Sequence, residues 1–530
     1  MRKHLFARTV LLAAVIALAL TVIGTASAAR YTVIFKVGEI AAGKAAVAKA
    51  GGKVVYVNKK VGVATVRSSK STFARTLRAR TSSIAGVARL ARVYQTRSAA
   101  KAAAAPPGTF PDVPTVAAGC AQQYPPPGGT GFGPEPLSPC QWDMRQINAS
   151  PTGSYAVNQG EGATVGIMDT GLDAGHPDLV QNIDFGLSCS FITPQNPTTM
   201  PIEKTATGKE CGAAAQPKWQ DYNGHGTHVG GEVAAPINGI GVSGVAPEAT
   251  LVALKAGNAD GWFFTQEVVN ALTYAGDARL DVVNMSFFAD PFWMNCKNVP
   301  EQQAIVRAIS RAAQYAHQRG VVLVASAGNE LTDLDHPTTD ALSPDFPPGA
   351  EEERPVGNYC VILPGELPWV VTVSATGPQK ELSFYSNYSN SKVDVTAPGG
   401  DSTQAPNPFG RVLNTWSSTA PFTAGGNPSR TVEDCAPGGG PCAYYAWVQG
   451  TSMASPHASG VAAIIRSRYP DMPPMAVGSM LQNTSMSMAC TESAEARAGA
   501  DCTGNTNQNA HGQTNFYGNG LVDALAAAVE

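Results

Sequence analysis

Gly450-Thr451-Ser452-Met453-Ala454-Ser455-Pro456-His457 is a turn of small residues that opens a helix. Downstream, Val461, Ala462, Ile464, Ile465 and Tyr469 recur at helical spacing and supply its apolar stripe. Pro456 fits only a first turn, so the helix is expected to begin close to Ser452. A serine at such a start has an exposed Oγ and an outward N–H, and the helix dipole favours negative charge beside it. That suits a nucleophile whose product is an oxyanion. Outward from this turn, strands and helices alternate. Residues 163–168, 250–256, 282–286, 321–326, 369–375 and 393–396 read as strands. A segment starting near His225 and residues 265–275 and 304–319 read as helices. The repetition predicts an α/β fold: a doubly wound, mostly parallel sheet with helices on both faces. In such sheets the site lies at the carboxyl ends of the strands.

Three strings meet at that edge. Val165-Gly166-Ile167-Met168-Asp169-Thr170-Gly171 delivers Asp169 from the end of an apolar strand. Asn223-Gly224-His225-Gly226-Thr227-His228-Val229-Gly230-Gly231 opens a glycine-rich helix with His225. The third is the Ser452 turn. Together they hold the parts of nucleophilic acyl transfer: Ser452 attacks, His225 takes and returns the proton, and Asp169 orients the imidazole and stabilises its cation. A fourth string, Val324-Ala325-Ser326-Ala327-Gly328-Asn329, brings Asn329 as a side-chain N–H donor to the oxyanion, beside the N–H of Ser452.

These four strings, in the order Asp, His, Asn, Ser, resemble the subtilisin-like serine proteases, or subtilases. Ala246-Pro247, Val282-Val283-Asn284-Met285-Ser286, Val395-Thr396-Ala397-Pro398-Gly399 and Gly518-Asn519-Gly520-Leu521-Val522-Asp523-Ala524 match further landmarks of that family. The resemblance covers residues 141–530 strongly and 31–98 weakly. It implies a subtilisin-like fold preceded by a small α+β propeptide domain, and a secreted serine endopeptidase made as an auto-processed zymogen. Its partners would be polypeptide substrates and its own propeptide, and the expected state is a monomer. It implies that Ser286-Phe287-Phe288-Ala289 is a strand that pairs with the substrate backbone, flanked opposite by Gly261-Trp262. The family usually carries glycines where this chain has Phe288 and Ala289, so a restricted, aromatic-lined cleft is expected, unless the rings turn into the core. No cofactor is expected for the chemistry. Subtilases often hold structural calcium, but no ligand set is readable here.

The rest of the chain fits an exported product. Arg2, Lys3 and Arg8, an apolar run at 10–23 and Ala26-Ser27-Ala28 read as a signal peptide, residues 1–28. The run is short for a membrane anchor, so none is expected in the mature form. Residues 29–98 read as the propeptide unit, 99–140 as a Pro/Gly/Ala-rich linker or arm, and 141–530 as the catalytic domain. Cleavage of the propeptide is expected within 99–141. Residues 1–104 hold 19 of the 37 Lys and Arg residues but one of the 40 acids, Glu39. A basic block usually points to nucleic acid. Here it reads better as a segment that docks on its own acidic remainder. Ten cysteines in an exported chain suggest five disulfides. Proximity pairs Cys120–Cys140, Cys189–Cys211, Cys435–Cys442 and Cys490–Cys502, which leaves Cys296–Cys360.

Two other readings compete. A catalytically inactive relative could serve as a binding protein, although all four polar residues are present. His225 and His228 form an H-x-x-H pair that could hold a metal for hydrolysis, although no third ligand is well placed and the resemblance makes His228 structural. His457 and His176 read as packed histidines. The segment 330–360 carries Asp333, Asp335, Asp340, Asp345 and Glu351-Glu352-Glu353. It is a solvated acidic loop, or it approaches the pocket for the residue before the scissile bond and favours a basic side chain.

Overall fold

The computed structural model describes residues 28–80, 82–90, 110–125, 132–194, 196–214, 217–420, 430–435, 442–503 and 513–530. The signal peptide read at 1–28 lies outside the described residues except for Ala28. Residues 29–89 form a small α+β unit: β1 (Ala29–Phe35), α1 (Ile40–Lys49), β2 (Lys53–Asn58), β3 (Val63–Ser68), α2 (Phe73–Arg78) and β4 (Ile84–Arg89). Its antiparallel sheet runs β2-β3-β1-β4 over a core that includes Val33, Phe35, Val47, Phe73 and Leu77. β4 escaped the sequence reading because Gly86 and its alanines dilute the apolar alternation. The small residues have a packing cause: a Cβ at Gly86 would lie 2.9 Å from the Cβ of Ala304.

The stretch read as a linker holds a helix, α3 (Val113–Gln123). Asp112 caps it by accepting from the N–H of Thr115 at 2.8 Å. Val113 and Cys120 are buried in the main core, and Tyr124 donates its hydroxyl to Phe409 O at 2.9 Å. The sequence reading missed α3 because its order comes from these distant contacts and from the Cys120–Cys140 bridge.

The large domain follows, with α4 (Trp142–Gln146), β5 (Thr164–Ile167), β6 (Cys189–Ser190), β7 (Glu210–Cys211), α5 (His225–Ala234), β8 (Thr250–Lys255), α6 (Thr265–Ala278), β9 (Val282–Met285), β10 (Asn295–Cys296), α7 (Pro300–His317) and β11 (Val322–Ser326). Then come β12 (Thr339–Asp340), β13 (Arg354–Pro355), β14 (Cys360–Val361), β15 (Val370–Thr376), β16 (Val395–Pro398), β17 (Val412–Trp416), β18 (Thr431–Cys435), β19 (Cys442–Val448) and α8 (Thr451–Arg468). An eight-stranded sheet has the order β16-β15-β11-β9-β5-β8-β6-β7 and is parallel except at β6–β7. Alternate residues go to opposite faces. Val165, Ile167, Leu251 and Val324 pack with Val229 and Val233 of α5 and Val461 and Ile464 of α8. Val252, Leu254, Val283 and Leu323 pack with Leu272 of α6 and Ile305 and Ile309 of α7. This is the doubly wound α/β arrangement that the strand–helix alternation predicts. An antiparallel sheet, β17-β19-β18, was not foreseen.

Pro456 needs a correction. α8 begins at Thr451, so Pro456 sits in the second turn rather than the first. A residue with an N–H there would bond to Ser452 O. Ser286 Oγ donates to that carbonyl instead, at 2.9 Å.

All five disulfides pair as expected, four by proximity and Cys296–Cys360 as the pair left over. Three join residues that face each other across antiparallel strands: Cys189 and Cys211, Cys296 and Cys360, Cys435 and Cys442. The N-terminal unit rests on α6 and α7. Asn58 Nδ2 donates to Thr273 Oγ1 at 2.8 Å and Thr65 Oγ1 donates to Gln266 Oε1 at 2.8 Å. Arg78 pairs with Glu301 at 2.8 Å, and Arg311 Nη1 donates to Phe35 O at 2.8 Å.

Because Cys120–Cys140 spans 20 residues, its loss frees a loop whose closure is worth about 3 kcal/mol. The Cys120→Ser/Cys140→Ser variant should lower the urea midpoint accordingly, and proteolysis of the native protein should begin near α3.

Candidate active site

β5 delivers Asp169, fully buried, at the carboxyl edge of the sheet. Its Oδ1 accepts from the N–H of Thr170 at 2.7 Å and from His225 Nδ1–H at 2.8 Å. With Nδ1 committed as donor, Nε2 is the basic nitrogen. His225 opens α5 and is 27% exposed. The helix comes this close because residue 226 is glycine: a Cβ there would lie 2.2 Å from Gly171 O. Burial opposes a charge on His225. The Asp169 charge and hydrogen bond, helped by the Asp221 charge, outweigh it and raise the pKa above the ordinary 6.5.

Asp221 was not singled out in the sequence, yet it organises this corner. Its Oδ1 accepts from Thr170 Oγ1, Asn223 N and Gly224 N, each at 2.9 Å. Its Oδ2 accepts from Thr227 N at 2.9 Å and Thr227 Oγ1 at 2.7 Å. One carboxylate thus ties the turn after Asp169 to the first turn of α5. Its signal was an Asp just ahead of Asn223-Gly224, which is turn and helix-start chemistry.

Ser452 is the second residue of α8 and opens onto the same cleft as His225 and Asn329. Its Oγ donates to Ser286 O at 3.2 Å. Asn329 Oδ1 accepts from Thr451 N at 2.8 Å and from Thr451 Oγ1 at 3.0 Å. Those bonds fix the amide so that its NH₂ group is left to donate. The N–H of Ser452 lies in a first helical turn, where the ladder provides no acceptor.

The cleft encloses about 280 Å³. Gly261, Trp262, Ser286, Phe287 and Phe288 all line it. Residues 286–289 run on from β9 as an irregular segment rather than the expected strand. Phe287 stacks flat on Phe263 with ring centres 4.1 Å apart, so it forms a wall. Phe288 packs against a cluster that includes Trp293 and still borders the cleft. Glu330, Asp290 and Asp345 also line it: the acidic segment 330–360 reaches the cleft, as one of its two readings expected, whereas Asp290 was not singled out in the sequence.

His228 turns away from His225. Its Nε2 donates to Ala446 O at 2.9 Å and its Nδ1 lies 2.5 Å from Glu232, all buried. Burial lowers its pKa to about 3. His457 donates from Nδ1 to Met453 O at 2.6 Å, with Asp143 at 3.2 Å from Nε2. His176 donates to Tyr444 O at 2.9 Å. None of the three faces the cleft.

A separate polar cluster lies behind α5. Glu135 Oε2 and Asp178 Oδ1 are buried without a donor among the described residues. Glu135 Oε1 accepts from Asn238 N at 2.9 Å, and Asp178 Oδ2 accepts from Val242 N at 3.0 Å. Burial raises both pKa values, and the charge of Glu135 raises that of Asp178 further. Two orphaned carboxylate oxygens, from separate segments that both hold the 238–242 loop, suit a hard divalent cation.

The model of the subtilase family matches residues 160–520. The chain is 28% identical to subtilisin BL of Lederbergia lenta over 386 residues, covering 73% of this chain and 97% of that protein. It is 30% identical to an intracellular serine protease of Paenibacillus polymyxa, over 61% of this chain and 74% of that one. Among solved structures it resembles the epidermin leader peptide processing serine protease of Staphylococcus aureus. That match has a TM-score of 0.63 and 21% identity, covering 95% of this chain and 98% of that one, and it speaks for the fold.

Histidine NMR should show His225 titrating above 6.5. In Asp169→Asn the two raising effects are lost while burial stays, so the titration should drop below that value.

Proposed function

The chain belongs to the subtilase family of serine-type endopeptidases, and from that premise we propose that Asp169, His225 and Ser452 form its catalytic triad, with Asn329 in the oxyanion hole. One observation carries this reading. A histidine with Nδ1 held on a buried carboxylate shares a single cleft with a half-buried helix-start serine and an asparagine whose NH₂ group is left to donate.

The chemistry follows from those positions. As substrate enters, the Ser452 hydroxyl leaves Ser286 O and gives its proton to His225 Nε2. Oγ attacks the scissile carbonyl, and the oxyanion takes hydrogen bonds from the Ser452 N–H and Asn329 Nδ2. The imidazolium, stabilised by Asp169, returns the proton to the leaving amine. Water repeats the cycle on the acyl-enzyme. Residues 286–288 and Gly261-Trp262 border the substrate chain.

The same reading makes the protein a secreted zymogen. The leader exports it, and the unit at 29–89, docked on α6 and α7, acts as its intramolecular inhibitor. The processing cut falls ahead of Asp112, because α3 is bound into the enzyme core. Among the described residues no helix is long and apolar enough to cross a membrane. Glu135 and Asp178 would hold a structural calcium ion, remote from the reacting atoms.

A fluorophosphonate probe should label the mature enzyme, and Ser452→Ala should abolish labelling. Asn329→Ala should lower kcat about 10²–10³-fold, the size of this effect in subtilisin, with KM little changed. Labelling that survives in Ser452→Ala would end the triad assignment. A chelator should lower Tm without blocking labelling at low temperature, and Glu135→Gln should remove that calcium sensitivity.

A further inference from the structure

Among the described residues, the cleft beside Ser452 is lined by three carboxyl groups, Asp290, Asp345 and Glu330, and by no lysine or arginine. Five rings line it as well: Trp262, Phe263, Phe287, Phe288 and Trp293. We propose that this wall is a subsite for a cationic substrate side chain, arginine above all, gripped by the Asp290–Asp345 pair and covered by the rings. The proposal rests on the endopeptidase reading and names the substrate class within it.

The pair is tied together from two directions. Asp290 ends the irregular segment after β9; its N–H donates to Phe263 O at 2.9 Å and its Oδ2 accepts from Phe263 N. Asp345 comes from the loop after Asn329, and its N–H donates to Pro291 O at 3.1 Å. Phe346, next in the chain, meets Trp262 and Phe264 edge to face at 5.5 and 5.2 Å. Two segments more than 50 residues apart are therefore locked so that their carboxyls meet. Asp290 is 3% exposed. Both carboxylate oxygens of Asp345 are buried, and the side chain that hydrogen-bonds to them among the described residues is the Asp290 carboxyl itself.

Two buried carboxyls that share a proton are costly to ionise unless something else supplies donors. A guanidinium does so. Its planar fork offers five N–H donors and can engage two carboxyl groups at once, while the rings attract its positive face. A lysine ammonium lacks the planar fork, and a neutral side chain leaves the two acids sharing a proton.

The same geometry makes recognition depend on pH. Burial, with the neighbouring carboxyl, pushes Asp290 well up, and burial lifts Asp345 to about 6. Glu351 and Asp340 add charge that raises Asp345, and Glu330 and His225 stand in the same cleft. Below about 6 a proton competes with the cation for the pair. As pH rises through that value Asp345 loses its proton, Asp290 keeps its own to higher pH, and the grip on arginine strengthens.

Peptides that differ only in arginine against citrulline, its neutral isostere, test this on the mature enzyme. At one fixed position from the scissile bond, kcat/KM for arginine should exceed that for citrulline about tenfold or more, mostly through KM. The ratio should grow between pH 5 and 8, and comparing ratios cancels the titration of His225. Asp345→Asn and Asp290→Asn should each bring the ratio to about one and flatten its pH dependence, with fluorophosphonate labelling showing that each variant is folded. Calorimetry on Ser452→Ala should show the same preference in binding alone. Cleavage with no arginine preference at any position, or a preference that survives Asp345→Asn, overturns the subsite and leaves the endopeptidase reading standing. Absence of both cleavage and labelling overturns that reading and the subsite with it.

Discussion

The first turn of α5 must lie against the turn that follows β5, and the Asp221 carboxylate holds it there. Five donors from Thr170, Asn223, Gly224 and Thr227 converge on its two oxygens. Gly226 removes the one side chain that would block the approach. From this clamp follow the short Asp169–His225 hydrogen bond, the tautomer of the imidazole and the direction in which Nε2 faces. The sheet sets the second half of the arrangement. Parallel strands end together, so residues 160 or more positions apart in sequence, such as Asp169 and Asn329, open onto one edge.

A second coupling runs through Ser286. Pro456 breaks the backbone ladder of α8 at Ser452 O, and the Ser286 hydroxyl fills the gap. The carbonyl of the same Ser286 receives the Ser452 hydroxyl at 3.2 Å. The serine turn and a segment that lines the cleft are thus stitched by a reciprocal pair of hydrogen bonds. A proline that looks like a flaw in a helix leaves a carbonyl free for that stitch.

Much of the fold was legible because parallel strands buried on both faces read as apolar runs, and their helices keep a clear stripe. Asp169, His225, Asn329 and Ser452 were legible for a related reason: each sits in a short string of small residues that only a tight turn explains. What escaped notice depends on partners far along the chain. α3 has too little apolar pattern to announce itself and is ordered by Tyr124, Val113 and a disulfide. β4 is disguised by the small residues that let it lie on α7. Asp221 looks like any turn residue until its five donors assemble. Asp290 and Asp345 are unremarkable alone, and only the folded chain sets one against the other. The 286–289 segment, expected to pair with a substrate strand, forms no ladder with the protein itself; Ala289 N–H bonds to Leu363 O, and the next residue, Asp290, makes an isolated parallel bridge with Phe264.

The cross-strand cystines carry a consequence for the working life of such an enzyme. Cys189 and Cys211, and Cys435 and Cys442, each close a short excursion of the chain at its base, between residues already opposed on neighbouring strands, whereas Cys296–Cys360 spans α7 and β11. A protease at high concentration attacks its own kind first at protruding loops. A single scission inside one of these loops severs the chain but detaches nothing, because both stumps remain fastened at the root. Damage of this sort would show on a reducing gel long before it showed in the turnover of substrate.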